Sequence, residues 1–325
     1  MIYHAIIAGG GVIGCAVALK LAQRRSAWKI LLLEKEPEVA QHTSGRNSGV
    51  IHSGFNAKPG SLKARFCVEG NRKLREYCKS HGVTMREVGT VVVALNAGDE
   101  AVLSELLHRG RENGVPGIQM VDRARLHELE PHAAGNAALH SPAGSIVDSK
   151  GVVQAYAADA KDAGVEFCFF KRVVAVEKSA NGYRIRTDGG DYESAHFINC
   201  AGLYADRIAH GLGVATDLKI FPFRGDYFRL SDAQSHLVRS MIYPAPDIKY
   251  PFLGIHFTKK VTGEVLAGPN AVLALGRESY RPFEIDARDA AEMVFDPRFW
   301  KMIATREFIS MAADQLKTTL FKKAF

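Results

Sequence analysis

Cysteine is scarce in this chain and never arranged for bridging or metal binding. The five residues, Cys15, Cys67, Cys78, Cys168 and Cys200, are odd in number and form no C-x-x-C pair. That spacing excludes a disulfide framework and a thiolate zinc site, and the thiols are expected to be buried and reduced. No uninterrupted apolar run is long enough to cross a bilayer, and the first apolar strand begins at once, leaving no room for a cleavable leader. A cytoplasmic setting is the expectation. There is no P-loop lysine motif, and Gly45-Arg46-Asn47-Ser48-Gly49 is not a G-x-S-x-G elbow. His127 and His132 stand five apart rather than on one helical face, and no internal repeat or low-complexity tract is present. The net charge of +7 is spread along the chain rather than clustered. It reads as a solvated basic surface, compatible with an anionic substrate or an acidic membrane surface, and no nucleic-acid partner is expected.

What the chain does have is glycine in the right place. An apolar strand (Ile6, Ile7, Ala8) runs into Gly9-Gly10-Gly11-Val12-Ile13-Gly14, then an amphipathic helix, a second apolar run over 29–33 and Glu34. Glycine-rich turns also simply end strands. Here the strand before, the helix after and an acid twenty residues past Gly14 all agree on a dinucleotide-binding βαβ unit. In such a unit Gly9 permits the turn, Gly11 admits a pyrophosphate to the helix N-terminus, Gly14 lets helix and sheet pack, and Glu34 faces an adenosine ribose. The turn alone does not choose between a flavin and a nicotinamide. With 325 residues, 47% of them hydrophobic, the chain has the size of two domains.

Residues 42–65 break every period and are dense in glycine and small polar side chains. After the second strand of a nucleotide fold, such a loop is expected to lie across the cofactor and to bring His52 near its reactive end. The segment Ser44-Gly45-Arg46-Asn47-Ser48-Gly49-Val50-Ile51-His52-Ser53-Gly54, with residues 58–64, resembles that of L-2-hydroxyglutarate oxidases and dehydrogenases, flavoproteins of the D-amino-acid-oxidase-like superfamily. The resemblance continues, in order, through 144–148, Cys200-Ala201-Gly202-Leu203, 222–227, 243–247, 251–258 and 268–272. It implies FAD as cofactor, oxidation of L-2-hydroxyglutarate to 2-oxoglutarate by hydride transfer to the flavin, and quinone or oxygen as electron acceptor, with a peripheral membrane contact. It also implies an α/β fold in which a Rossmann-like FAD-binding domain is interleaved with a mixed, largely antiparallel substrate domain. The expected division is FAD domain over 1–85 and 146–215, substrate domain over 86–145 and 216–285, and a helical region over 286–325.

Candidate residues follow. Cofactor contacts are expected from Gly9, Gly11, Gly14, Glu34, Lys35, Ser44, Arg46, Asn47, Ser48, Gly49, Val174, Ala201 and Gly202. The chemistry needs a base for the substrate hydroxyl, and a histidine suits that role because its ordinary pKa lies near working pH. His52 is the first candidate and His256, inside a strand, the second, with packing an equal reading for the latter. Lys63 and Arg224 are the cations expected to meet substrate carboxylates. The chain departs from the resemblance twice. Phe55-Asn56-Ala57 stands where many relatives carry two tyrosines, and the sequence stops at Phe325 in a helical pattern where relatives continue into a glycine- and proline-bearing segment. Truncation is therefore expected to open the flavin pocket, with Leu316, Leu320, Phe321 and Phe325 forming an unpartnered apolar stripe. Oxidation of another 2-hydroxy acid or an amino acid, or a truncated non-enzyme, stay open as alternatives.

Overall fold

The computed structural model describes residues 2–246, 255–306, 308–310 and 312. The stretch 247–254 of the family-like motifs and the C-terminal apolar stripe at 316–325 lie outside the described residues. Two compact units emerge, one from residues 1–47, 149–222 and 274–299, the other from 48–148, 223–273 and 300–325.

The first unit is built on a six-stranded sheet. Ile2–Ala8 pairs in parallel with Ile30–Leu33 on one side and with Gly190–Asn199 on the other, and Glu166–Cys168 extends the parallel edge. Ile30–Leu33 is buried at every position, as a strand covered on both faces requires. Val173–Ser179, Gly182–Thr187 and Gly190–Asn199 form an antiparallel meander closed by two-residue turns, the register running from Ser179 opposite Gly182 to Thr187 opposite Gly190. Helix Val12–Arg24 turns Gly14, Cys15, Ala18, Leu19 and Ala22 inward, and they share one core with Val153, Ala157 and Ala160 of helix Ser149–Asp162. Small residues on both faces let the two helices approach closely. Burial pushes the Cys15 thiol up to about 12, so it stays protonated.

The second unit carries a seven-stranded sheet ordered Phe228–Arg229, Val265–Gly268, His256–Lys259, Met241–Pro244, Thr90–Ala94, Ala137–Ser141, Gln119–Asp122. Every pairing is antiparallel except that of Met241–Pro244 with Thr90–Ala94. Helix Ala97–Glu112 covers one face through Leu103 and Leu106, which pack with Val92, Leu139, Met241 and Tyr243. Val50–Ile51 and Met85–Glu87 flank Ser145–Val147 in a small separate sheet.

These units differ from the expected division in two places. Residues 48–85 cluster with the second unit, because Val50–Ile51 and Met85–Glu87 bond to Ser145–Val147. Residues 274–299 return to the first, where Arg277 pairs with Asp206 and Glu278 with Lys35. The thiols also differ from the expectation: all five are free, but only Cys15 and Cys78 are buried, the other three being partly exposed. Between strands Gln119–Asp122 and Ala137–Ser141 lies the short helix Arg123–Leu129, capped by Asp122, whose carboxylate accepts from Arg125 N at 2.8 Å.

Candidate active site

Within the first unit the glycine turn has the geometry its spacing predicts. Gly9 has φ +107°, and a Cβ there would lie 2.4 Å from the Cys200 carbonyl oxygen, while one on Gly14 would lie 1.9 Å from Gly9 O. Both glycines are demanded by the protein's own backbone. Gly11 is different. A Cβ there would meet only Ser44 Oγ, at 3.1 Å, so packing alone does not require glycine. Space kept open at a helix N-terminus suits a pyrophosphate. Ser44 Oγ accepts from Val12 N at 3.0 Å, which ties the cofactor loop to that same helix end. Glu34, 8% exposed at the end of its strand, accepts from Gly10 N at 2.5 Å and Glu36 N at 2.9 Å. Those bonds orient its carboxylate and leave lone pairs for ribose hydroxyls. Val174 is skipped in the ladder between Val173 and Ala175 and is exposed, as the extra residue of a bulge is. Gly202 has φ +55°, next to Ala201 in the turn after Asn199. The residues present thus fit a dinucleotide cofactor.

Three members of the expected cofactor set are engaged by protein. The Lys35 ammonium bonds to Glu36, to Glu278 at 2.6 Å and to His42 Nε2 at 2.6 Å. The Arg46 guanidinium lies 4.2 Å over the Tyr280 ring and its Nε donates to Gln41 O. Asn47 donates to Thr43 O and Ser44 O, bracing its own loop. In the second unit Ser48 hydrogen-bonds the Tyr227 phenol, and Gly49, at φ +69°, would place a Cβ 2.4 Å from Val147 O.

The second unit brings His52, His256 and Lys63 together. His52 follows the strand Val50–Ile51, and part of the residue stays open to solvent. Crowding by protein on its other sides, reinforced by the charges of His256 and Lys63, pushes its pKa down to about 4. Lys63 stands in the first turn of helix Leu62–Ser80, whose start is fixed by Ser61 accepting from Ala64 N at 3.1 Å. His256 is 6% exposed and stacks on Tyr243 with ring centroids 4.2 Å apart. Arg224 is held in a bidentate pair by Asp226, Nε to Oδ1 at 2.6 Å and Nη2 to Oδ2 at 3.1 Å.

The sequence reading missed two residues that hold this loop. Asn71, buried in helix Leu62–Ser80, points its amide nitrogen at Ala143 O (3.0 Å), His52 O (3.2 Å) and Ile51 O (3.3 Å). Asn113 donates to Gly54 O at 3.0 Å and Ala57 O at 2.9 Å. Two side-chain amides therefore satisfy the carbonyls that an irregular segment cannot pair with itself. Only one faint signal was available: Asn71 lies midway between Ala64 and Cys78 on the seven-residue buried seam of its helix, where a polar residue needs partners.

A sequence profile of the family described as FAD dependent oxidoreductase matches residues 4–301. This chain belongs to that family, and its cofactor is FAD. Among curated relatives it is 41% identical over 326 residues to the L-2-hydroxyglutarate dehydrogenase of Indibacter alkaliphilus, a match spanning 100% of this chain and 81% of the relative. It is 38% identical over 312 residues to the mitochondrial L-2-hydroxyglutarate dehydrogenase of Homo sapiens, spanning 92% of this chain and 67% of the relative. Of solved structures, the FAD-bound L-alpha-glycerophosphate oxidase of Mycoplasma pneumoniae superposes with a TM-score of 0.77 at 29% identity, over 86% of this chain and 74% of that one. Glycine oxidase of Geobacillus kaustophilus, at a TM-score of 0.69 and 21% identity over 88% of this chain and 74% of that one, shares the fold.

Proposed function

We propose that this chain oxidises L-2-hydroxyglutarate to 2-oxoglutarate, with quinone or oxygen receiving the electrons. The observation that carries the reading is similarity along nearly the whole chain to two dehydrogenases that bear this substrate in their names. When bound, FAD supplies the acceptor for the hydride leaving C2. His52 takes the hydroxyl proton: its depressed pKa keeps the imidazole neutral at neutral pH, ready to accept. A dianionic substrate beside it favours the imidazolium, so substrate binding strengthens the base. Lys63, whose charge already bears on His52, is the cation for a substrate carboxylate. Arg224 is second to it, since Asp226 holds its fork. His256, stacked on Tyr243, lines the same site.

A quinone acceptor fits a peripheral membrane position in a cytoplasmic or organellar setting. Among the described residues, no helix is long and apolar enough to cross a membrane. Another 2-hydroxy acid is the second reading, since the fold alone does not fix the substrate. Anaerobic mixing of the yellow protein with L-2-hydroxyglutarate, its D-isomer, L-malate, L-glutamate and glycerol 3-phosphate separates the readings. Bleaching of the flavin is expected with L-2-hydroxyglutarate, at micromolar to millimolar concentration. Bleaching by one of the others alone overturns the assignment.

A further inference from the structure

Three separate stretches of the first unit wall the cofactor cradle: Glu34 with its neighbours Lys35 and Glu36, the loop 42–47, and 200–204. Three side chains from the short stretch 277–280, those of Arg277, Glu278 and Tyr280, take hold of all three. Arg277, 4% exposed, donates to Leu203 O and forms a bidentate pair with Asp206, Nη1 to Oδ1 at 2.5 Å and Nη2 to Oδ2 at 2.9 Å. Glu278 forms an ion pair with the Lys35 ammonium at 2.6 Å and accepts from the Tyr204 phenol. The Tyr280 hydroxyl bonds His42 Nδ1 at 2.7 Å, and its ring lies under Arg46. Burial alone would raise the Glu278 carboxyl pKa, but the bonds from Lys35 and Tyr204 outweigh it and hold the group ionised. The ligand atoms of Glu36, His42 and Glu278 lie within 4.8 Å of one another, a spacing a divalent ion could use. The Lys35 ammonium is bonded to all three, so the position of a cation is already taken.

We propose that residues 277–280 form a clasp that sets the affinity for FAD, with Glu278 and Tyr280 as positioning residues acting through Lys35, His42 and Arg46. None of these bonds reaches the glycine turn, which is the nucleotide-binding motif of the chain. Its function is to hold three walls in one arrangement before the cofactor arrives, so that binding does not bear the cost of ordering them.

The test is titration of FAD into the apoprotein, followed by flavin fluorescence at low and high salt, beside thermal unfolding of apo and holo forms. Glu278→Gln keeps the side-chain shape and is expected to weaken FAD about 10-fold. Tyr280→Phe keeps the ring under Arg46 and is expected to weaken it about 3-fold, with the apoprotein Tm of both variants unchanged. Lys35→Met combined with Glu278→Gln is expected to bind no worse than Lys35→Met alone, because the glutamate acts through the lysine. The clasp is overturned if both single variants stay within twofold of the wild-type Kd, or if apo and holo forms lose equal stability, which is the mark of a purely structural role. Wild-type protein that folds but takes up no FAD overturns the cofactor assignment along with the clasp. Normal wild-type uptake with unchanged variants overturns the clasp alone.

Discussion

The cofactor cradle of the first unit and the histidine loop of the second are built on opposite principles. The cradle is a backbone device: Gly9 and Gly14 are forced by carbonyls within 2.4 Å of where a Cβ would stand, and their meaning is local and periodic. The loop around His52 has no such code. It is irregular, and Asn71 of helix Leu62–Ser80 and Asn113 at the C-terminal cap of helix Ala97–Glu112 hold its carbonyls. A backbone device can be read from a dozen residues, whereas a side-chain scaffold becomes visible only when the helices have been placed.

The largest expected effect separates two kinds of glycine within the cradle itself. Gly14→Val drives a side chain into Gly9 O and should yield little soluble protein, while Gly11→Val should fold yet purify colourless. Stoichiometric flavin in Gly11→Val would show that its open space belongs to something other than the pyrophosphate. Next comes the loop: His52→Ala should keep FAD and lose kcat by on the order of 10²–10⁴-fold. Normal rates of flavin reduction would move the proton acceptor to His256. Smaller still, Asn71→Ala strands buried carbonyls at Ile51, His52 and Ala143, and should cost about 1–3 kcal/mol in urea unfolding. Because it also frees the backbone at His52, a loss of kcat greater than the loss of FAD affinity is expected. Equal losses would make Asn71 a purely structural residue.

The smallest effect is a pH dependence. The folded-state pKa of His52, about 4, lies below the ordinary histidine value, so the unfolded chain binds more protons between the two. Stability should therefore rise with pH from about 4 to about 6.5 and gain nothing further from this group above that. His52→Gln should flatten that rise, and an unchanged slope would show that the imidazole is not depressed. In turnover, the acid limb of kcat/KM governed by His52 is expected below pH 6.5.

Much of this was legible before the structure. The βαβ unit, the family and FAD all follow from residues close together in sequence. Local signals also mark the start of helix Leu62–Ser80, where Ser61 is a strong cap. What escaped is what depends on long-range partners. The Asp226 partner of Arg224, only two residues on, also went unread, and Arg224 keeps its proposed role toward a substrate carboxylate. Arg46, expected to contact the cofactor, stacks on Tyr280, 234 residues away. Residues 48–85 read as part of the nucleotide domain because they follow its second strand, and hydrogen bonding to Ser145–Val147 decided otherwise.

The sheet of the first unit also imposes a timetable. Ile2–Ala8 is made well before one of its two neighbours, Gly190–Asn199. At about 5–20 residues per second, that partner is synthesised roughly 10–40 s later. For that interval an apolar strand, with Ile6, Ile7 and Ala8 destined for full burial, has one edge unpaired. An unpaired apolar edge is a template for other chains. Recovery of the protein in cells should therefore depend on translation speed and on chaperones that shield nascent strands, independently of how tightly the finished enzyme holds its flavin.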